Sequence, residues 1–140
     1  IPGIMPRYPE RLRVIQTGGI TLNNINVSNS EIGVLNTGTI EHLDSTVSFL
    51  KSGGNAETAT ALTQLAETVI KSVELSNEIK NQVLELLSAL SSEAVAPKEQ
   101  RRKAVAKAIL EQIPTILAGA KILLTLWEKV KPLIEKGLGL

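Results

Sequence analysis

Cysteine is absent, histidine occurs once, and only Tyr8, Phe49 and Trp127 are aromatic. Each absence removes a class of chemistry. Without cysteine there is no disulfide framework, no thiolate metal site and no cysteine nucleophile. With His42 as the one imidazole, a histidine-rich metal site lacks ligands, and a Ser-His-Asp triad would have to run through that residue. The 15 basic and 14 acidic residues leave a formal charge of +1 over 140 residues, so no long-range field gathers nucleic acid. So few aromatics supply no base-stacking platform. No apolar run reaches the ~18 residues of an ordinary membrane span. No basic-then-apolar signal peptide is visible, which favours the cytoplasm. These absences predict a non-enzymatic chain with no catalytic residue, cofactor, metal, nucleic-acid partner or small-molecule substrate. The chain opens at Ile1, which reads as a processed product or a fragment, with Met5 as a candidate start.

What is present is aliphatic. Hydrophobic residues make up 43% of the chain, nearly all of them Leu, Ile, Val and Ala, the ordinary material of a core packed from helices. Composition divides the chain. Pro2, Pro6 and Pro9 mark residues 1–13 as an extended leader. Residues 14–50 are rich in Asn, Thr, Ser and Gly, and from Val14 to Ile40 only Glu31 carries charge. The run Lys51-Ser52-Gly53-Gly54-Asn55 reads as a linker. Residues 56–140 are rich in Ala, Leu, Glu and Lys.

Within 14–50, apolar residues come in alternating pairs: Ile20 and Leu22, Ile25 and Val27, Ile32 and Val34. That is the period of a strand with one buried face. Asn23-Asn24, Ser28-Asn29-Ser30 and Asn36-Thr37-Gly38 separate the pairs and read as turns. A five-residue recurrence through Ile20, Ile25, Leu35 and Ile40 suggests a rung-like winding. The expectation is a set of short β-strands, as a small sheet or solenoid, followed by a four-helix bundle: an α+β fold. Short strands are marginal alone, and their unpaired edges invite a second copy. Asn23, Asn24, Asn26, Asn29 and Asn36 would form amide ladders in such a stack. The alternative is that the segment folds back on its own helices as a small sheet.

In the second half, Leu62, Leu65, Ala66, Val69, Ile70 and Val73 form the stripe of a first helix with Asn55 as N-cap. Ile79, Val83, Leu86, Leu87 and Leu90 line a second. A third is expected to open at Pro97 and end or kink at Pro114, and a fourth to run from Thr115 to Lys136, closed by Gly137.

Candidate sites are few. His42, between Glu41 and Asp44, reads as a surface histidine. The serines lack nucleophile-elbow glycines, and the glycine pairs match no phosphate-binding motif. The run from Lys98 to Lys103, with Lys107, is the strongest basic patch. Interspersed Glu99 and Glu111 make it the solvated face of a bundle helix, with phosphate binding as the alternative. Ile113 to Trp127 is apolar nearly all round, with Ile116, Leu117, Ile122, Leu123, Leu126 and Trp127 as packing or membrane candidates. Its length of about 22 Å falls short of the ~30 Å hydrocarbon core.

The stretch from Ile25 to Gly38 resembles the Asn/Gly-punctuated β motifs of bacterial conflict and defence proteins. It is similar to RHIM-like amyloid-signalling motifs, with Ile32-Gly33-Val34 at the alternating β-branched core. Gly33 stands where the usual Gln would be, and Leu35 where Gly would follow. The downstream half resembles a helical module found behind such segments. The resemblance implies a homotypic assembly part and transfers no catalytic residue. Together these features lead to a self-assembling protein, an oligomer or filament whose partner is itself. Ile20, Leu22, Ile25, Val27, Ile32, Val34, Leu35 and Ile40 would make its contacts. The alternative is a membrane-binding or pore-forming effector that inserts the apolar C-terminal helix at a membrane surface.

Overall fold

The computed structural model describes residues 22–25, 27 and 35–140. Helix α1 (Thr37–Ser52) begins at Asn36, whose Oδ1 accepts the Thr39 amide at 3.2 Å. Ile40, Leu43, Val47 and Leu50 recur every three or four residues and are buried, so one stripe of α1 faces inward. The chain turns through Gly54, at φ 89°, a conformation that favours glycine. Helix α2 (Ala56–Lys71) follows. Helix α3 (Asn77–Val95) begins at Ser76, whose hydroxyl accepts the Ile79 amide at 3.3 Å. A 3-10 turn at Lys98–Gln100 leads to α4 (Lys103–Ile116), and another at Leu117–Gly119 leads to α5 (Lys121–Leu138).

Helix α2 is the centre of the bundle, in contact with α1, α3 and α5. Its composition permits this: Thr58, Ala59, Ala61 and Ala66 are buried among Leu62, Leu65, Val69 and Ile70. Short side chains let three neighbours close on one helix. Helix α1 lies mainly along α3, and α4 bridges α3 and α5. Leu123, Trp127, Val130, Ile134 and Leu138 bring α5 onto the same core. Helices α2 and α5 approach closely at Gly137, where a Cβ would lie 2.2 Å from Thr58 Oγ1. That hydroxyl donates to the Leu133 carbonyl at 3.0 Å, so a glycine on α5 and a short side chain on α2 fit together.

The α+β expectation is overturned. The described residues form five α-helices and no strand. Ile40 lies inside α1, and Leu22, Ile25, Val27 and Leu35 lie in irregular backbone packed on the core. The physical reason is that Asn36-Thr37-Gly38 is a helix start. An Asn side chain that accepts a backbone amide serves a turn and an N-cap equally, and only the downstream spacing 40, 43, 47, 50 separates the two. The β-branched and Ser/Thr content of α1 depresses its intrinsic helix preference, and burial of the stripe overrides that.

Three helix limits also shift. Pro97 opens a 3-10 turn and α4 starts only at Lys103. Pro114 stays inside α4, in its last turn, and the break comes at Leu117–Gly119. Gly137 is helical and buried, and Gly139, at φ 76°, ends α5. The Gly139 and Leu140 amides then bond the Lys136 and Glu135 carbonyls.

The glycines separate experimentally. Gly137→Ala is expected to lower stability by about 1–3 kcal/mol through overpacking against Thr58. Gly119→Ala meets nothing within 4 Å and has no positive φ, so it should be neutral or stabilising by about 0.4–1 kcal/mol. Urea unfolding of both variants at constant m-value checks the contrast.

Candidate functional site

The described surface carries four polar or apolar constellations. The first surrounds Asp44, buried to 3% exposure on α1. Its Oδ2 accepts the Asn23 amide at 2.9 Å, and its Oδ1 accepts the Asn24 and Ile25 amides at 2.8 and 3.0 Å. Three successive backbone N–H groups converging on one carboxylate make a small anion-binding concavity. Asn24 Nδ2 donates to the Asp44 carbonyl at 3.2 Å and to Ser48 Oγ at 2.7 Å, while Lys51 donates to Asn24 Oδ1 at 2.9 Å. Residues 22–25 are thus strapped across α1, with Ile25 buried as the plug.

The second is the seam between α1 and α3. His42 Nδ1 meets Ser88 Oγ, and its Nε2 meets Ser92 Oγ at 3.3 Å. Deeper in, Thr46 Oγ1 lies 2.8 Å from the Leu43 carbonyl and 2.6 Å from Ser91 Oγ, and Ser91 Oγ lies 2.7 Å from the Ser88 carbonyl, so two hydroxyl hydrogens serve three contacts. A histidine beside a serine suggests a nucleophile and base. Here both ring nitrogens are engaged by serines, so neither is left for an orienting carboxylate, and Ser88 is itself buried. The arrangement ties two helices together.

The third clasps the α3–α4 connection. Arg101 donates from Nε to the Ala96 carbonyl at 3.0 Å and from Nη2 to the Ala94 carbonyl at 2.9 Å, capping the end of α3. Buried Glu93 accepts the Arg102 amide at 2.8 Å, its Nε at 3.1 Å and its Nη2 at 2.7 Å. The hydrogen bonds from the Arg102 side chain, then that from its amide, hold the Glu93 carboxyl below the usual carboxylate range. Two residues of the basic run are therefore structural.

The fourth is apolar. A cleft of about 310 Å³ lies between the end of α2 and the start of α5, lined by Thr68, Lys71, Ser72, Val73, Glu74, Ile122 and Leu123. Val73 is 98% exposed and Ile122 72%.

The residues proposed as assembly contacts divide. Ile25, Leu35 and Ile40 are buried and Leu22 and Val27 half-buried, all on one intramolecular core, while Ile20, Ile32 and Val34 lie outside the described residues. Of the C-terminal candidates, Leu117, Leu123 and Trp127 are core, Ile116 and Leu126 are half-buried, and Ile122 faces outward. Among the described residues no helix is long and apolar enough to cross a membrane, and no group of three His, Asp or Glu side chains could hold a metal. Sequence reasoning passed over Asp44 and Glu93 and placed Val73 on the wrong side of a helix end. Asp44 and Glu93 carry a signal in hindsight: each is an acid on the apolar stripe of its helix, at a position where the spacing calls for a core residue. Val73 had been assigned to a helical stripe, and the helix ends two residues earlier.

Comparison with protein-family models, with curated proteins and with solved structures returns no match, so none links the chain to defence-type proteins.

Asp44→Ala would leave three amides without their acceptor, that of Ile25 buried and those of Asn23 and Asn24 partly so. Hydrogen bonds to a charged group contribute about 1.5–3 kcal/mol each, so a loss of about 3 kcal/mol or more is expected. Amide exchange at Asn23, Asn24 and Ile25 should accelerate before global unfolding; unchanged protection there would contradict the strap. For Glu93, a folded pKa below the unfolded value means that its contribution is present above the ordinary carboxylate range. It is lost as pH falls through the folded pKa. Wild-type stability should therefore drop more steeply on acidification than that of Glu93→Gln, read from urea midpoints across the acid range.

Proposed function

We propose that this chain is a non-enzymatic, self-associating helical module, and that the cleft between Val73 and Ile122 is its contact face. The observation that carries this reading is the pairing of those two outward aliphatic side chains on one apolar cleft. Single exposed apolar residues are ordinary; two that share a concavity continuous with the core residue Leu123 form a surface suited to burial by a partner. The partner is a second copy. Lys71 and Glu74 flank the cleft with opposite charges. A two-fold pairing sets Lys71 of one protomer opposite Glu74 of its partner while the Val73–Ile122 patches meet. Self-association is thus kept from the sequence and moved from a β segment to a helical surface. Membrane insertion by α5 has less support. It would require withdrawing Leu123, Trp127, Val130, Ile134 and Leu138 from the core and uncovering the apolar faces of α2 and α4 on which they pack.

Sedimentation equilibrium at micromolar concentration tests the reading. Wild type should be dimeric or larger, and Val73→Asp with Ile122→Asp should be monomeric with unchanged helical circular dichroism. Lys71→Glu alone should weaken association, and adding Glu74→Lys should restore it. A wild type that stays monomeric, or a double-aspartate variant that associates as well as wild type, would overturn the proposal.

A further inference from the structure

At the opposite end of the residues that clasp α3 to α4, a second pocket has a different character. It holds about 110 Å³ and is lined by Lys98, Arg101, Lys103, Leu138 and Gly139. That is far below the ~300 Å³ at which drug-sized ligand sites begin, and it suits one small group with a few waters. Three of its five lining residues are cations, and none is an acid. Buried Glu93, on the clasp between α3 and α4, is already paired with Arg102. Among the described residues no carboxylate pairs with Lys98 or Lys103, and the ion pairs present, Glu93 with Arg102 and Glu57 with Lys136, engage neither.

Three features aim this charge inward. Arg101 spends Nε and Nη2 on the Ala96 and Ala94 carbonyls, which fixes the guanidinium plane and leaves Nη1 toward Gly139. A Cβ at Gly139 would lie 3.4 Å from Nη1, so the missing side chain keeps that edge uncovered. Helix α4 begins beside the pocket with no capping side chain and no acid in its first turn. Its leading amides therefore add positive partial charge to that of Lys103. The opposing carbonyl end of α5 is muted, because the Lys136 and Glu135 carbonyls are taken by the Gly139 and Leu140 amides. A fixed guanidinium, two ammonium groups that pair with no carboxylate among the described residues, and a helix N-terminus around a small cavity match a compact, multiply charged oxyanion.

We propose that the pocket formed by Lys98, Arg101, Lys103 and Gly139 binds a phosphate group. The chemistry is the same for free phosphate and for the phosphomonoester headgroup of a lipid. The site is separate from the Val73–Ile122 cleft and does not depend on self-association.

The test is a backbone-amide NMR titration of the full chain with inorganic phosphate, against chloride at equal ionic strength, beside co-sedimentation with phosphatidylcholine vesicles with and without phosphatidic acid. Saturable shifts at Lys103, Ala104 and Val105 are expected with phosphate and not with chloride. Lys98→Gln with Lys103→Gln should weaken the apparent affinity about tenfold or more, since two charge-assisted contacts are lost, while circular dichroism stays unchanged. Both lysines are exposed, so the variant should fold. Co-sedimentation that requires phosphatidic acid and is lost in the variant identifies a membrane headgroup as the source; phosphate shifts without co-sedimentation identify a soluble phosphate. Absent shifts, shifts equal in the double variant, or vesicle binding that leaves these amides unmoved would overturn the proposal.

Discussion

A buried carboxylate must find donors for its lone pairs, and the first part of the described chain is organised by that requirement. Asp44 points into the bundle side of α1, where an unpaired charge would be severely destabilising. The donors are not side chains but the amides of Asn23, Asn24 and Ile25. Backbone recruited in this way cannot serve a β ladder, because each amide has one hydrogen to give. One acid therefore fixes where the strap crosses α1 and places Ile25 in the core. It also converts a segment with strand-like alternation into irregular backbone held by a helix.

The same logic recurs at the other acid on a core-facing stripe. Glu93 sits near the end of α3 and gathers three donors from Arg102, while Arg101 closes the last carbonyls of α3. The connection between α3 and α4 is thus tied at both helix ends. This separates the members of what reads in sequence as one basic run. Arg101 and Arg102 are bound by the fold, whereas Lys98 and Lys103 remain at the surface around a small pocket. Rigid anchoring of the Arg101 guanidinium beside Lys98 and Lys103 gives that pocket a defined geometry, which a solvated helix face would lack.

The apolar surface follows from how α2 and α5 meet. Small residues on α2 and Gly137 on α5 allow close approach at one end of the pair, while Thr58 takes the Leu133 carbonyl. At the other end, α2 stops at Lys71 and the turn carries Val73 outward, facing the first turn of α5 where Ile122 also points out. The apolar excess of the Ile113–Trp127 stretch is therefore mostly consumed inside the bundle, and what is left over is the small face around Ile122.

The sequence alone determined the helical half. Three-four spacing of Leu, Ile, Val and Ala marks α2 and α3 and much of α4 and α5, because burying such a stripe is the dominant local drive. It also held α1, through Asn36 and the 40, 43, 47, 50 spacing, but that signal competed with a two-residue alternation upstream, and periodicity over four to six residues does not separate the two. The ends of α4 and α5 were misplaced because the deciding groups are remote: Glu93 and Arg101 delay the start of α4, and the last turn of α5 runs past Gly137 because Thr58 leaves room for no side chain there. Only the tertiary structure decided the partners of Asp44, the division of the basic run and the outward turn of Val73. Each depends on which amide, carbonyl or side chain lies across the bundle, and spacing along one chain carries no record of that.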